Sequence, residues 1–145
     1  MLRQLLVGGA VSACNIAIHA LLMTAVVWVA RSLAEKETPR QSWRLIVVMI
    51  ATVSVLMVAH VCEVAVWGLA YAIVGAAPAG ADRLYFAFVN YTTLGYGDVI
   101  PVARWRLLGP MTAMNGVLLF GWSTAVIFEV LRRTVRSAAA AASPR

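Results

Sequence analysis

The chain has 145 residues, of which 62% are hydrophobic and only 12% are charged. A soluble domain carries about 45–50% apolar and about 25% charged residues, so this composition excludes an ordinary soluble domain and indicates lipid as the solvent. The net charge of +6 would suit a nucleic-acid-binding protein, but the basic residues flank apolar stretches and form no face interleaved with aromatics. We therefore predict a membrane protein of one domain that binds no nucleic acid.

Three apolar stretches are long enough to cross a bilayer. They cover about residues 5–30, 45–74 and 107–131, and at about 1.5 Å per residue each spans the roughly 30 Å hydrocarbon core. The first stretch could instead be a signal peptide, because residues 11–14 resemble a lipoprotein cleavage box. The apolar run continues well beyond residue 14, so we interpret it as a membrane span.

Charged flanks predict the orientation of the spans. The segment 31–44 and the tail 132–145 lie on one side of the membrane, because two spans separate them. That side carries eight basic residues and the other side four, which predicts a multi-pass protein of the cell (inner) membrane with its N-terminus outside and its C-terminus cytoplasmic. The eight are Arg31, Lys36, Arg40, Arg44, Arg132, Arg133, Arg136 and Arg145.

A segment too short to cross the membrane lies between the second and third spans. Asp82 is a good N-cap for a short helix over residues 83–92, and Thr-Leu-Gly-Tyr-Gly-Asp follows at residues 93–98. Non-helical backbone at membrane depth is tolerated only where it is buried in protein or lines water. A row of backbone carbonyls aimed at one axis satisfies this condition, and it can replace the hydration shell of a cation.

The two glycines of this hexapeptide suit such a row of carbonyls. Carbonyls of an ordinary strand alternate sides, so aiming them all one way requires residues of alternating handedness. Gly95 and Gly97 adopt positive φ at little cost. One chain supplies one carbonyl per layer, so a cage around an ion requires several copies, and we predict a homotetramer.

Residues 93–98 resemble the T-V-G-Y-G-D signature of potassium channels, with leucine in place of the usual valine. Residues 116–125 resemble the inner helix of the simple bacterial potassium channel pore. The resemblance to this pore-domain family covers about residues 45–131. It implies an all-α membrane fold with three transmembrane helices per subunit, a re-entrant pore helix over 83–92, an extended filter and an inner helix over 107–131.

The resemblance also implies roles for individual residues. The potassium ligands would be Thr93, Leu94, Gly95 and Tyr96, while Gly97 permits the filter geometry and Asp98 places a carboxylate at the outer mouth. On the inner helix, Gly116 would be a hinge. The cavity would be lined by Val117, Phe120 and Thr124. The remaining predicted parts are an extra N-terminal transmembrane helix (1–31), a cytoplasmic loop (32–44) and a short basic cytoplasmic tail (132–145).

The surroundings of the predicted filter depart from the family pattern. Val89 takes the position of a glutamate that hydrogen-bonds behind many bacterial filters, and Tyr85 and Phe86 replace bracing tryptophans. We expect Glu63, together with Thr92, to support the filter, because an ionisable residue inside a span is by default a functional candidate.

Polar residues of the first two spans are candidates for contacts with Glu63. Asn15 and His19 share one helix face, which should pack on protein. Glu63 would hydrogen-bond the pore helix or a polar residue of the first span such as Asn15; the alternative is a position beside lipid headgroups. His60 lies three residues before Glu63, but two metal ligands at helical spacing are a weak signal. Either histidine could instead sense pH, although a satisfied buried histidine is commoner.

The sequence predicts passive, selective potassium permeation. It contains no catalytic constellation, so we predict no enzyme activity, no cofactor and no small-molecule substrate beyond cations. The expected partners are membrane lipids and further copies of the same chain. Two alternatives stay open, a weakly selective cation channel and a non-conducting membrane module that regulates a partner.

Overall fold

A computed structural model describes residues 1–34 and 41–142 of the protein. These residues are helical except in the connecting loops. Its helices are α1 (Leu2–Ala34), α2 (Gln41–Val74), α3 (Arg83–Tyr91) and α4 (Leu108–Ala142), with a single 3-10 turn at Ala103–Trp105 before α4. The segments Leu2–Val29, Trp43–Val74 and Ala103–Arg136 are long and apolar enough to cross a membrane. The predicted all-α fold with three transmembrane helices and one short intervening helix is confirmed.

The three long helices pack on one another, and α3 is inserted between two of them. α1 contacts α2 and α4, and α3 also contacts α2 and α4. One apolar cluster surrounds α3, and a second joins α1, α2 and α4 nearer the C-terminal end of α4. The first is formed by Val64, Trp67, Tyr71, Ala76, Phe86, Ala87, Tyr91, Trp105 and Leu108, and the second by Met23, Val26, Val48, Leu56, Val126 and Val130.

The short helix α3 begins where its sequence predicts. The side chain of Asp82 accepts hydrogen bonds from the backbone N–H groups of Leu84 and Tyr85 at 2.9 and 3.1 Å, which satisfies two donors that the first turn leaves unpaired. The helix ends at Tyr91, one residue before the predicted end. Its apolar face is buried between α2 and α4, and the buried residues are Phe86, Ala87, Val89 and Tyr91.

The helix α4 is longer than predicted. The predicted end at residue 131 is wrong, because α4 continues to Ala142 through the segment expected to be a tail. Arginine and alanine are strong helix formers, and Glu129 forms ion pairs with Arg132 and Arg133 one turn later. α1 and α2 likewise extend into the predicted loop at residues 32–44. The remainder of that loop, residues 35–40, lies outside the described residues, as do residues 143–145 at the end of the predicted tail.

Gly116 lets α4 approach the end of α3. A Cβ atom added at Gly116 would lie 2.0 Å from the carbonyl oxygen of Tyr91, far inside van der Waals contact. α4 is continuous through this residue. The structure therefore gives Gly116 a packing role, while the hinge role implied by the resemblance stays a prediction.

We expect Gly116→Ala to lower the melting temperature of the detergent-solubilised protein. The added methyl group must push α4 away from α3, and such overpacking costs about 1–3 kcal/mol. The matched control is Gly121→Ala on the same helix, where an added Cβ meets nothing within 4 Å. Thermal unfolding followed by circular dichroism compares the two variants, and equal melting temperatures would contradict the close approach.

Candidate functional site

The segment after α3 is a non-helical ribbon, residues 93–98, whose backbone alternates in handedness. Thr93, Gly95 and Gly97 have positive φ angles of 59°, 56° and 81°, and they are the ribbon residues in the left-handed region. The two glycine conformations confirm the prediction from the sequence. Thr93 was not predicted to be left-handed, because a side chain makes this conformation costly, about 1–2 kcal/mol.

Hydrogen bonds to α3 hold the strained start of the ribbon in place. The N–H of Thr93 donates to the carbonyl of Asn90 at 3.1 Å, and those of Leu94 and Gly95 donate to the carbonyl of Val89 at 3.0 and 3.4 Å. Val89 thus contacts the ribbon through its backbone, at the position where the resemblance to potassium channels implies a glutamate side chain. These bonds fix where the ribbon leaves the helix and make the left-handed Thr93 tolerable.

The ribbon is exposed along its whole length in the single chain. Every residue from 92 to 98 is classed as exposed, and the side chains of Leu94 and Tyr96 are 53% and 70% exposed. Within the described part of the chain, the N–H groups of residues 96–98 donate to no other backbone group. Backbone in this state cannot face hydrocarbon, so in a membrane the ribbon must be covered by protein or water.

The end of the ribbon at Asp98 is anchored to the first turn of α3. The phenol of Tyr85 donates a hydrogen bond to the carboxylate of Asp98 at 2.7 Å. Because ionising the phenol would lose this bond and place two negative charges together, the contact raises the pKa of Tyr85. Tyr85, at a position where the resemblance implies a bracing tryptophan, therefore braces the ribbon through its hydroxyl group.

The carboxylate of Glu63 lies behind α3 and is fully buried. It accepts a hydrogen bond from the phenol of Tyr91, the last residue of α3, at 2.5 Å. The backbone carbonyl of Glu63 accepts a hydrogen bond from the side-chain amide of Asn15 at 3.2 Å. The Glu63 carboxylate thus contacts α3, one of the two contacts considered for it, whereas Asn15 reaches only the backbone of Glu63. The burial of the carboxylate inside the chain contradicts the alternative position beside lipid headgroups. That these contacts support the filter stays a prediction.

Thr92, the second predicted support residue, acts on α3 itself. It is the C-cap of the helix, and its hydroxyl donates to the carbonyl of Phe88 at 2.7 Å. The side chain is exposed in the single chain. Thr92 therefore closes the last turn of α3 directly before the ribbon, without contacting the buried carboxylate.

Two histidines complete the buried polar group around Glu63. His19 Nδ1 lies 2.8 Å from Glu63 Oε1, and His60 Nδ1 lies 3.0 Å from Glu63 Oε2. His60 Nε2 lies 2.9 Å from the hydroxyl of Ser123 on α4. The sequence showed His60 three residues before Glu63 and predicted that the polar face of α1 packs on protein. It did not predict that α1, α2, α3 and α4 all meet here, although polar residues inside apolar spans were the available signal.

The predicted cavity residues of α4 fall into two groups. Val117 and Thr124 are exposed and lie two helical turns apart on one face. Phe120 is half-buried, with its ring centroid 4.7 Å from that of His60 and 5.3 Å from that of Tyr91. The ring of Phe120 thus packs on the polar group inside the chain, while Val117 and Thr124 remain available for a cavity. The lining of a cavity by these residues stays a prediction.

We expect Tyr91→Phe to destabilise the protein, because Glu63 then loses a hydrogen-bond donor in a buried site. A hydrogen bond to a charged group contributes about 1.5–3 kcal/mol, so the melting temperature should fall. Tyr85→Phe is the control, since it removes an exposed hydrogen bond from the same short helix. Thermal unfolding in detergent measures both variants; a Tyr91→Phe protein as stable as Tyr85→Phe would contradict the structural role of the buried bond.

Comparison with known proteins supplies the family. The family model described as ion channel matches residues 59–133, which is slightly more than half of the chain. The match includes Glu63, the whole of α3, the ribbon and most of α4. No curated protein and no solved structure matches the chain. The family is one of channels and not of enzymes, and its match agrees with three helices that are long and apolar enough to cross a membrane. The chain belongs to the ion-channel family.

Proposed function

We propose that four copies of this chain form a potassium-selective channel, with residues 93–98 of each copy as one wall of the filter. The observation that supports this most is the ribbon itself. It follows a short helix, every second residue from Thr93 to Gly97 is left-handed, and all of its residues are exposed in the single chain. Such a backbone aims successive carbonyls in one direction, which is what the coordination of a dehydrated cation needs.

The number of subunits follows from what one ribbon can supply. A single ribbon offers one carbonyl oxygen per layer, which cannot replace a hydration shell. Four ribbons around an axis form the rings of oxygens through which potassium filters bind their ion. The same arrangement covers the exposed ribbon backbone, and it places Val117 and Thr124 of each copy towards the shared axis below the filter.

Potassium is the proposed ion because of the chemistry of the ribbon. The ligands would be the carbonyls of residues 93–96, with the hydroxyl of Thr93 at the inner end of the row. The resemblance of residues 93–98 to the potassium-channel signature supports this choice. Permeation would be passive, driven by the electrochemical gradient, and would need no cofactor and no partner beyond lipid and further copies of the chain.

The remaining parts of the chain fit this proposal as an outer layer and an inner exit. α1 packs on α2 and α4, outside the contacts of α3, so we assign it a role in shielding the pore unit or joining subunits. The basic residues at the end of α4 would face the cytoplasm, with the N-terminus of α1 outside. The membrane would be the cell (inner) membrane.

A weakly selective cation channel is the second candidate, and the altered support of the ribbon favours it. Val89 offers only its backbone carbonyl, and Tyr85 contacts Asp98 through a single exposed hydrogen bond. A ribbon held this way is braced less extensively than one held by buried side chains. Selectivity is therefore the property that the experiment must measure directly.

We expect liposomes containing the purified protein to take up potassium and rubidium but to exclude sodium. Gly95→Ala should abolish this flux, because the methyl group strains a residue with φ of 56° by about 1–2 kcal/mol in each subunit. Gly9→Ala on α1 is the matched control, since an added Cβ there meets nothing within 4 Å.

Each contrary result would identify a different error in the proposal. Equal uptake of sodium and potassium would indicate a weakly selective pore. Potassium flux that survives Gly95→Ala would contradict the assignment of the filter. Folded tetramers that pass no ion would favour a non-conducting module that regulates a partner.

A further inference from the structure

The buried residues His19, His60 and Glu63, called here the His–Glu cluster, have the composition of a metal site. One possible ligand atom from each residue lies within 4.8 Å of the others. The side chains of His19 and Glu63 are 0% exposed and that of His60 is 13% exposed. Two of the residues are three apart on α2 and the third comes from α1, so the helix packing holds all three in place.

The two imidazole rings are oriented in the same way. Nδ1 of each ring faces the carboxylate of Glu63, at 2.8 Å for His19 and 3.0 Å for His60. Nε2 of each ring faces the hydroxyl oxygen of Ser123, at 3.5 Å for His19 and 2.9 Å for His60. One face of the cluster is therefore a carboxylate and the opposite face is a single hydroxyl group.

Counting protons shows that the hydroxyl group of Ser123 cannot serve both imidazole rings as a donor. The hydroxyl of Ser123 has one hydrogen, so it can donate to only one Nε2 atom. Its oxygen has two lone pairs and can accept N–H groups from both rings. If both rings instead donate Nδ1–H to the two carboxylate oxygens, the single hydroxyl hydrogen of Ser123 leaves one Nε2 atom without a donor. If both rings donate to Ser123, every hydrogen bond to Ser123 is made, but two Nδ1 lone pairs and a carboxylate face one another, and that arrangement requires a positive charge between them.

We propose that a divalent first-row transition metal ion, with Zn²⁺ as the best fit, binds between these groups. Its ligands are Nδ1 of His19, Nδ1 of His60 and a carboxylate oxygen of Glu63, a set of two imidazoles and one carboxylate that zinc uses in proteins. In each imidazole, the nitrogen that does not bind the metal donates a hydrogen bond to Ser123. Metal-bound histidines commonly donate their second N–H group in this way to an acceptor that is not itself a ligand, called here the outer acceptor.

The distances are compatible with tetrahedral coordination after small movements. Zinc bonds of about 2.0–2.2 Å place neighbouring ligand atoms about 3.3–3.6 Å apart. His19 Nδ1 lies 2.8 Å from Oε1 of Glu63 and His60 Nδ1 lies 3.0 Å from Oε2, and one ligand atom from each of the three residues lies within 4.8 Å of the others. The hydroxyl of Tyr91 lies 3.0 Å from His60 Nδ1, beside the fourth position, which it or a water molecule would fill.

The bound ion would join every helix of the chain at one point. Its ligands come from α1 and α2, the outer acceptor Ser123 from α4, and Tyr91 from the pore helix directly before the ribbon. The metal would therefore stabilise the packing behind the filter. This proposal goes beyond potassium permeation and does not rest on it, because binding is measured without ion flux.

The test is a cobalt titration of the full chain in detergent. The protein is purified without a histidine tag, in a Cys14→Ser, Cys62→Ser background that removes the exposed thiols as competing ligands, and it is treated with a chelator. We expect one Co²⁺ per chain, with the intense visible absorption of tetrahedral cobalt. Zn²⁺ should displace the cobalt and raise the melting temperature.

Three variants identify the site. Loss of an outer acceptor weakens metal sites about 10–100-fold, so Ser123→Ala should weaken cobalt binding by that factor. Glu63→Gln removes a ligand and should weaken binding by more than Ser123→Ala does. Glu129→Gln removes a carboxylate that pairs with arginines elsewhere on α4, and it should bind cobalt as the parent does. Circular dichroism checks that each variant is folded.

The proposal is overturned if the parent protein binds no stoichiometric cobalt. It is also overturned if folded Glu63→Gln or Ser123→Ala binds cobalt as tightly as the parent. In either case protons alone supply the positive charge between the rings and the carboxylate. Should Glu63→Gln fail to fold, Ser123→Ala decides, because its three ligands are retained.

Discussion

Backbone polar groups at membrane depth need partners, and this requirement governs the structure. The three long helices satisfy it internally. The ribbon at residues 93–98 satisfies it only at its start, where α3 accepts its first N–H groups, and the rest is non-helical and exposed in the single chain. Other copies of the chain, together with water and ions bound between them, would supply the partners that the ribbon backbone needs. The incompleteness of the isolated subunit is thus the physical basis of the proposed pore.

The remainder of the subunit serves to hold the end of α3 in place. Gly116 admits the carbonyl of Tyr91 against α4, and the phenol of the same residue reaches the buried Glu63. The last turn of α3 then accepts the N–H groups that fix the left-handed Thr93. The left-handed conformation of Thr93 is therefore held by α3, and α3 is held in turn by its packing on α4 and its hydrogen bond to Glu63.

Local chemistry explains which features were predictable from the sequence. The N-cap at Asp82 and the left-handed Gly95 and Gly97 depend on the properties of single residues, so a short window was sufficient. The left-handed Thr93 depends on tertiary hydrogen bonds. The meeting of His19 with Glu63 joins residues 44 positions apart, and helix spacing within one span cannot reveal it. The end of α4 lies beyond the end of the apolar stretch, because the alanines and arginines that follow favour a helix without being hydrophobic enough to mark a span.

A structure of the assembled protein in rubidium would test the central claim most directly. The account predicts four subunits around one axis, with anomalous rubidium density on that axis at the level of residues 93–96, within coordinating distance of their carbonyl oxygens. A monomer or dimer, or a tetramer whose ribbons face away from the axis with no density between them, would contradict it.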